Sequence, residues 1–430
     1  MIKRLLFGFV LLISLVSSYS YTNISTCQTI NSSFSWYDSE REIRLNDSLI
    51  GDGATTCLDI DIDDLSLNCQ GNTIDGNGSI SVYVGAFSTS WNNITIKNCG
   101  INNGSTLFLF SNNTKLINST LYDTGIYSIG TNITLENNYI ENTDIRLYVD
   151  FPIINNTDFI NTSRILISSD LTRPKHIFTN SNIVFNLNQF DIDNTEDAIY
   201  KNINISGTCS SSNTFGNVIN SHFSNINVMG ANCNFIFTSF DYSEIINMSI
   251  NNVDAGAQDG ILQFISSEHV TLDNIEIINS HADYGLNIAL GNPYNYSLNN
   301  IHIENFEGAG ILFGGSSPLR NILTNSLLRN ISLTSLLLND NNLIYNNTFY
   351  DENPIQIGSS TGNEFNLSSI GNFYTNVSSN PLCFEPGQCD YFPQEIVITS
   401  NLQTSKSLFP SQGFISTILS LLVLIFFFNI

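Results

Sequence analysis

The chain has 430 residues and a formal net charge of −24, although only 12% of its residues are charged and 42% are hydrophobic. A chain this apolar is not a disordered acidic polymer, and it has enough nonpolar residues for a large core. Its 14 Lys and Arg residues form no basic patch, so no nucleic-acid partner is expected. The acidic surface also disfavours anionic lipids and anionic polysaccharides.

The first 20 residues have the features of a secretory signal peptide. Lys3 and Arg4 precede an apolar run over residues 5–16, and small residues around Ser18 offer cleavage sites. An uncleaved anchor is the alternative, although about twelve apolar residues are short for a span that needs about twenty. We therefore expect an exported protein, and export permits disulfide bonds.

The chain ends in an apolar segment that follows a polar stretch. Residues 414–430 begin with a mostly apolar segment of about fifteen residues, which would rise only ~22 Å as a helix, short of the ~30 Å hydrocarbon core. Two interpretations stay open: a short transmembrane anchor, or a tail that is removed when a GPI-type lipid is attached. Both predict a cell-surface protein held on the membrane by its C-terminal segment.

A short sequence motif, a β-branched strand followed by Asn, recurs at spacings of about 19 to 30 residues. Each copy has three to five residues with alternating apolar side chains, and no apolar stripe at helical spacing persists. A strand this short becomes stable only when equivalent strands stack on it, which predicts a parallel β-helix of about thirteen turns, roughly 60 Å long. The copies begin at Leu65, Asn93, Lys115, Asn132, Pro152, Glu244, Val270, Tyr296, Leu319 and Leu343.

Asparagine dominates the composition, with 62 residues interleaved with Ile, Leu and Phe. At the corner that follows each strand, Asn tolerates the left-handed backbone region, and its amide can bond to the equivalent Asn one turn below. Leucine-rich repeats also carry an Asn ladder, but they need a regular leucine frame. Here the frame is irregular, and second apolar strands, residues 260–264 and 310–314, lie within the periods.

Segments near both ends of the chain resemble a known family. Residues 56–60, 65–76 and 93–99 are similar to the opening of right-handed parallel β-helix surface proteins with PbH1 repeats, in the NosD-like branch of the pectin-lyase-like superfamily. Residues 371–374 and 383–391 resemble the terminal rung of that branch, with Phe-Tyr in place of Tyr-Trp. The resemblance covers about residues 27–391 and implies an all-β, right-handed, single-stranded solenoid. It implies no single activity, because this fold carries lyases, hydrolases, adhesins and inert surface proteins.

We divide the chain into five predicted regions. They are a signal peptide over residues 1–20, an N-terminal cap with the first strands over 21–63, the parallel β-helix over 64–395, a polar stalk over 396–413, and the membrane anchor or GPI-type tail over 414–430.

The eight cysteines are an even number, and neither a CxxC motif nor a His at zinc-finger spacing accompanies them, which disfavours zinc. Cys69 and Cys99 occupy the same place in consecutive copies of the repeat, so stacking would put their Cα atoms about 5 Å apart. Two reduced, stacked thiols are the alternative for this pair. We predict four local bridges: Cys27–Cys57, Cys69–Cys99, Cys209–Cys233 and Cys383–Cys389.

No pattern of residues indicates a catalytic site, and no cofactor is expected. Residues 194–197 resemble one part of the polygalacturonase signature, but no Asp-Asp follows, and His269 and His281 lack the flanking glycines of that family. The densest acidic run puts Asp59, Asp61 and Asp63 on one face of a strand. This run is a weak candidate for a divalent-cation site, and a solvated strand face is the alternative.

These observations predict a non-enzymatic structural or adhesive protein, with surface glycans or other cell-surface proteins as partners. Two alternatives stay open: a polysaccharide lyase or glycoside hydrolase, which would need clustered carboxylates with a basic residue, and a NosD-like or carbohydrate-binding module, which would need aligned exposed aromatics. Trp36, Trp91 and the scattered tyrosines are interpreted as cap or corner residues. About 18 Asn-x-Ser/Thr sites occur, and the predicted glycan sites are Asn23, Asn31, Asn93, Asn132, Asn204 and Asn376.

Overall fold

A computed structural model of the protein describes residues 22–31, 41–85, 91–169, 174–209, 212–230, 232–256, 260–290, 294–314, 320–339, 341–351, 354–357, 362–375, 382–385 and 387–395. Within these ranges the secondary structure is all β, and no helix is long and apolar enough to cross a membrane. The predicted signal peptide, stalk and C-terminal tail lie outside the described residues.

The strands are short at both ends of the chain and merge into long, bent strands in the middle. In chain order they are Thr22–Ile24, Gln28–Asn31, Glu42–Leu45, Leu49–Ile50, Leu58–Asp61, Ser66–Asn68, Thr73–Asp75, Val82–Val84, Trp91–Asn92, Thr95–Lys97, Gly100–Asn102, Thr106–Asn112, Lys115–Ile117, Thr120–Tyr122, Gly125–Gly130, Thr134–Glu136, Tyr139–Glu141, Asp144–Val149, Ile153–Asn155, Asp158–Ser168, Ile177–Glu196, Ile199–Thr208, Asn213–Ile219, His222–Met229, Phe235–Thr238, Glu244–Asn251, Leu262–Ile265, Thr271–Leu290, Ser297–Phe313, Asn321–Thr324, Leu327–Ile331, Leu336–Leu338, Asn342–Tyr345, Thr348–Phe349, Ile355–Ile357, Phe373–Tyr374, Leu382–Glu385, Gln388–Asp390 and Gln394–Glu395.

Each turn of the chain contributes to three faces, and strands pair in parallel with their equivalents one turn above and below. The first sheet is represented by Ser66–Asn68 paired with Thr95–Lys97, the second by Thr73–Asp75 paired with Gly100–Asn102, and the third by Val82–Val84 paired within Thr106–Asn112. The protein is therefore a parallel β-solenoid.

The interior is filled by columns of apolar side chains, one residue per turn on each sheet. On the first sheet the register makes thirteen steps from Ile43 to Ile344, which confirms the predicted number of about thirteen turns. All ten repeat copies found in the sequence lie on this one sheet. Four turns of this sheet carry no copy of the repeat: the turn of Ile43, and three in the middle where the inward side chains are Phe178, Tyr200 and Phe223 instead of Ile or Leu.

Aromatic side chains form the core of these middle turns. Phe237 lies between Phe215 and Phe264, with ring centroids 4.8 Å and 5.1 Å away and nearly parallel ring planes, and all three side chains are buried. His176 is also buried there and accepts or donates a hydrogen bond at Nδ1 with the Tyr200 hydroxyl, 3.1 Å away. Burial lowers the pKa of His176 to about 4, so its imidazole is neutral inside the core at physiological pH.

The corner after the first sheet carries the predicted asparagine ladder. Its members have φ between 53° and 57°, the left-handed region that Asn tolerates better than most residues. Each side-chain Nδ2 donates to the Oδ1 of the preceding member at 2.6 to 3.1 Å, which confirms the ladder. Its longest unbroken run is Asn180, Asn202, Asn225, Asn247, Asn274 and Asn300.

All eight cysteines are bonded in the pairs that the sequence predicts. The Cα–Cα distances are 4.5 Å for Cys27–Cys57, 4.8 Å for Cys69–Cys99, 5.3 Å for Cys209–Cys233 and 4.0 Å for Cys383–Cys389. Each bridge therefore joins segments that lie close together along the solenoid.

A hairpin closes the C-terminal end of the solenoid. Its two antiparallel strands, Leu382–Glu385 and Gln388–Asp390, are joined by Cys383–Cys389. Asp390 is fully buried, and its Oδ2 accepts hydrogen bonds from the backbone N–H of Asn372 at 2.8 Å, from Asn372 Nδ2 at 3.1 Å and from the Tyr374 hydroxyl at 3.2 Å. Gln388 Oε1 accepts a hydrogen bond from the buried side-chain amide of Asn363 at 2.8 Å. The hairpin thus supplies acceptors for the buried amides of Asn372 and Asn363 in the last turn.

Candidate functional site

Aromatic side chains line up on the outer face of the third sheet. The strand register puts Tyr83 next to Phe108 and Phe108 next to Tyr127, one ring per turn. Phe110 and Tyr148 continue the cluster to one side. We call these five residues the aromatic stripe. The interpretation of the tyrosines as scattered cap and corner residues is wrong for this part of the chain, because the solenoid register aligns residues that are unevenly spaced in the sequence.

The rings of the aromatic stripe contact one another along its length. Ring centroids of successive members lie 5.7 Å apart for Tyr83 and Phe108, 5.7 Å for Phe108 and Tyr127, and 5.6 Å for Tyr127 and Tyr148. Phe110 is buried, whereas the other four rings are half-buried and reach the outer surface. Mutual packing of this kind fixes the ring orientations before any ligand arrives.

Within the aromatic stripe, Tyr83, Phe108 and Tyr127 form a central column, and each end of this column carries a charged group. Asp59 precedes Tyr83 in the same register, and Arg146 follows Tyr127. Burial, together with the neighbouring Asp61, raises the pKa of Asp59. Burial also opposes ionisation of Asp144, but hydrogen bonds from Arg146 and then Arg164 outweigh it and lower the pKa of that carboxyl.

The acidic run of residues 59–64 is divided between two positions. Ile60 is buried while Asp59 and Asp61 face outward, as the alternation predicted. Asp63 instead lies in the bend after the strand Leu58–Asp61, where its carboxylate accepts a hydrogen bond from the backbone N–H of Asn92 at 2.7 Å. Among the described residues there is no group of three or more His, Cys, Asp or Glu side chains that could hold a metal ion.

The densest group of charges lies on the second sheet, around His302. Its Nε2 is 3.0 Å from a carboxylate oxygen of Glu304, and its Nδ1 is 3.6 Å from one of Glu276. Arg329 also pairs with Glu304, and Ser249 donates to Glu276 at 3.0 Å. The two carboxylates are thus held by internal partners, which is the arrangement of a structural ion-pair network.

The charge state of His302 makes the stability of these turns depend on pH. The interaction with Glu276, opposed by burial and supported by Glu304, raises the pKa of His302. A raised folded-state pKa means that the stabilisation is fully present below the ordinary value of about 6.5 and is lost as the pH rises through the raised value. The difference in thermal midpoint between the wild type and His302→Gln should therefore be larger near pH 5.5 than near pH 9. Equal differences at both pH values would contradict this assignment, and Glu276→Gln should reduce the pH dependence.

The residues that were considered as candidates for an enzyme signature occupy structural positions. Asn194 and Asp197 both have positive φ at corners, and each accepts a hydrogen bond from an Asn one turn away. His269 stacks on Tyr242 with ring centroids 4.5 Å apart, and His281 pairs with Asp254 at 2.9 Å. These side chains therefore contact residues of the neighbouring turn.

Most predicted glycan sites lie at the surface, and several belong to ladders. Asn23 is exposed in the strand Thr22–Ile24, and Asn31 is half-buried. The amide nitrogens of Asn93, Asn132 and Asn204, the atoms that would carry a glycan, donate to the side chain one turn below at 2.7 to 2.8 Å. These sites stay predictions, and Asn376 lies outside the described residues.

Comparisons with known proteins give no family for this chain: no family model matches it, and no curated protein matches it. Among solved structures, the A-module of mannuronan C-5 epimerase AlgE6 from Azotobacter vinelandii is 12% identical with a TM-score of 0.32, and the match covers 76% of this chain and 91% of that one. PfbA, a surface adhesin of Streptococcus pneumoniae, is 12% identical with a TM-score of 0.30 over 81% of this chain and 85% of that one. The catalytic domain of a GH87 alpha-1,3-glucanase is 12% identical with a TM-score of 0.29 over 80% and 63%.

Proposed function

We propose that this protein is an exported, membrane-anchored β-solenoid that works as an adhesin, and that the aromatic stripe is its binding surface. The observation that carries the proposal is the in-register column of half-buried rings on the outside of the third sheet. A solenoid interior needs apolar side chains, but an outer sheet face that meets water does not, and aromatic residues are enriched where proteins bind partners.

Two further features support surface adhesion over catalysis. Four disulfides favour an oxidising compartment, which agrees with the predicted signal peptide. The two carboxylates of the charged group around His302, those of Glu276 and Glu304, are engaged by His302, Ser249 and Arg329 within the protein. A rigid rod attached by its C-terminal tail would display the N-terminal turns, where the aromatic stripe lies, away from the membrane.

Adhesion of beads coated with the full-length protein tests the proposal. The triple variant Tyr83→Ala, Phe108→Ala, Tyr127→Ala should lose most of the adhesion that the wild type shows on a panel of bacterial, yeast and animal cells. A matched control removes two exposed tyrosines, Tyr122 and Tyr139, from the second sheet of neighbouring turns.

The control variant should adhere like the wild type, and all three proteins should keep their disulfides and stay folded at the temperature of the assay. Equal adhesion by the triple variant would contradict the proposal.

Deleting residues 414–430 in a eukaryotic expression host should release the protein into the medium, and retention on the cell would contradict the predicted anchor.

A further inference from the structure

We infer that the ligand of the aromatic stripe is a neutral glycan, an inference that rests on the proposed adhesive function. The central column reads Asp59, Tyr83, Phe108, Tyr127 and Arg146 in strict register over five turns. At the strand spacing of about 4.8 Å this column is roughly 20 Å long. It is therefore a narrow, linear platform, which fits an extended chain better than a compact ligand.

The rings supply the contact surface that a sugar ring needs. A pyranose has faces made of C–H groups, and these pack against the electron-rich faces of aromatic side chains. The rings of the stripe already pack against each other, with ring centroids 5.6 to 5.8 Å apart. Binding therefore does not have to order them. Four of the five rings reach the surface, so successive sugar units can meet successive rings.

The ends of the column supply both kinds of hydrogen-bonding group that sugar hydroxyls use. The carboxylate of Asp59 accepts hydrogen bonds, and the guanidinium of Arg146 donates them. Arg146 is held by Asp144 at 2.6 Å, which fixes its position, and its side chain is still 40% exposed. A hydroxyl both donates and accepts, so a glycan matches this donor–acceptor pair where a purely apolar ligand does not.

Charge selects against acidic ligands. Arg146 and Arg164 share the single carboxylate of Asp144, which leaves about one excess positive charge at that end, while Asp59 and Asp61 lie at the other end. The chain as a whole carries a formal charge of −24, which repels anionic polysaccharides and anionic lipid surfaces. The local balance and the global field together favour an uncharged glycan.

A glycan array followed by titration calorimetry tests this inference with the full-length protein in detergent. The array carries neutral glucans, mannans, xylans and galactans beside acidic oligogalacturonate and sulfated glycans. We expect binding to at least one neutral glycan and none to the acidic set. Tyr127→Ala should weaken the neutral glycan about tenfold. Arg146→Gln, which leaves the rings untouched, should also weaken it, and Tyr122→Ala should not.

Binding only to acidic glycans, binding to no glycan, or equal affinity of Tyr127→Ala and the wild type would overturn the inference. Bead adhesion separates this failure from failure of the proposed function. If the triple variant loses adhesion but excess neutral glycan does not compete, the stripe is adhesive and its ligand is a protein or a lipid. If the triple variant adheres normally, the proposed function itself fails.

Discussion

Replacing Asp390 by alanine is expected to open the C-terminal end of the solenoid. The substitution removes the acceptor for two buried donors, the backbone N–H of Asn372 and the hydroxyl of Tyr374, whereas the side-chain amide of Asn372 keeps the carbonyls of Ile344 and Phe365. Each buried donor without a partner costs about 1–3 kcal/mol, so the local loss should be at least about 2 kcal/mol. Burial and the carboxylate of Asp390 raise the pKa of Tyr374 well above its usual range, so its hydroxyl is protonated and donates to that carboxylate.

The effect of Asp390→Ala should stay near the C-terminus, because each turn of a solenoid contacts only its neighbours. Hydrogen exchange should show faster exchange in the strands Asn342–Tyr345 and Phe373–Tyr374 and no change in the strands of residues 95–155. The control Asp254→Ala removes an exposed carboxylate that pairs with His281, and it should leave protection at the end unchanged. Unaltered exchange in the last turns of the Asp390 variant would show that the hairpin does not cap the rod.

Replacing Phe237 by alanine is expected to destabilise the middle of the solenoid by about 3–5 kcal/mol, the range for a fully buried Phe. Its ring is sandwiched between Phe215 and Phe264, and it also contacts Phe240 at 4.9 Å between ring centroids. Neighbouring backbone is fixed by the parallel ladders on both sides, so the gap cannot close by collapse.

Urea denaturation followed by fluorescence measures this loss. Phe108→Ala, which removes a half-buried ring from the outer face, is the matched control and should lose less stability. Equal destabilisation of the two variants would contradict this prediction, because the core stack of the middle turns would then contribute no more stability than a surface ring.

Much of the fold follows from local patterns. The ten copies of the strand–Asn motif could be found in the sequence because the alternation and the corner Asn lie within about five residues of each other. All ten copies fall on the first sheet. Local pattern also explains the gap between residues 155 and 244. There Phe178, Tyr200 and Phe223 replace the aliphatic inward residues, and the backbone continues the same ladder without the β-branched signal.

The candidate binding surface could not be predicted in the same way. Tyr83, Phe108 and Tyr127 are separated by 25 and then 19 residues, so only the register of the folded solenoid reveals that they form one column. The end cap has the same character. The Asn372, Tyr374 and Asp390 motif residues are visible in the sequence, but their shared hydrogen bonds depend on how a hairpin folds back over the last turn.

The central claim is that the chain is a linear stack of turns, and non-reducing peptide mapping of the full-length protein tests it most directly. The structure predicts Cys27–Cys57, Cys69–Cys99, Cys209–Cys233 and Cys383–Cys389, which together are one of the 105 connectivities that eight cysteines allow. Each joins residues on the same or adjacent turns, so every linked peptide pair should be local. A bridge between any of the first four cysteines and any of the last four, or free thiols at Cys69 and Cys99, would contradict the account.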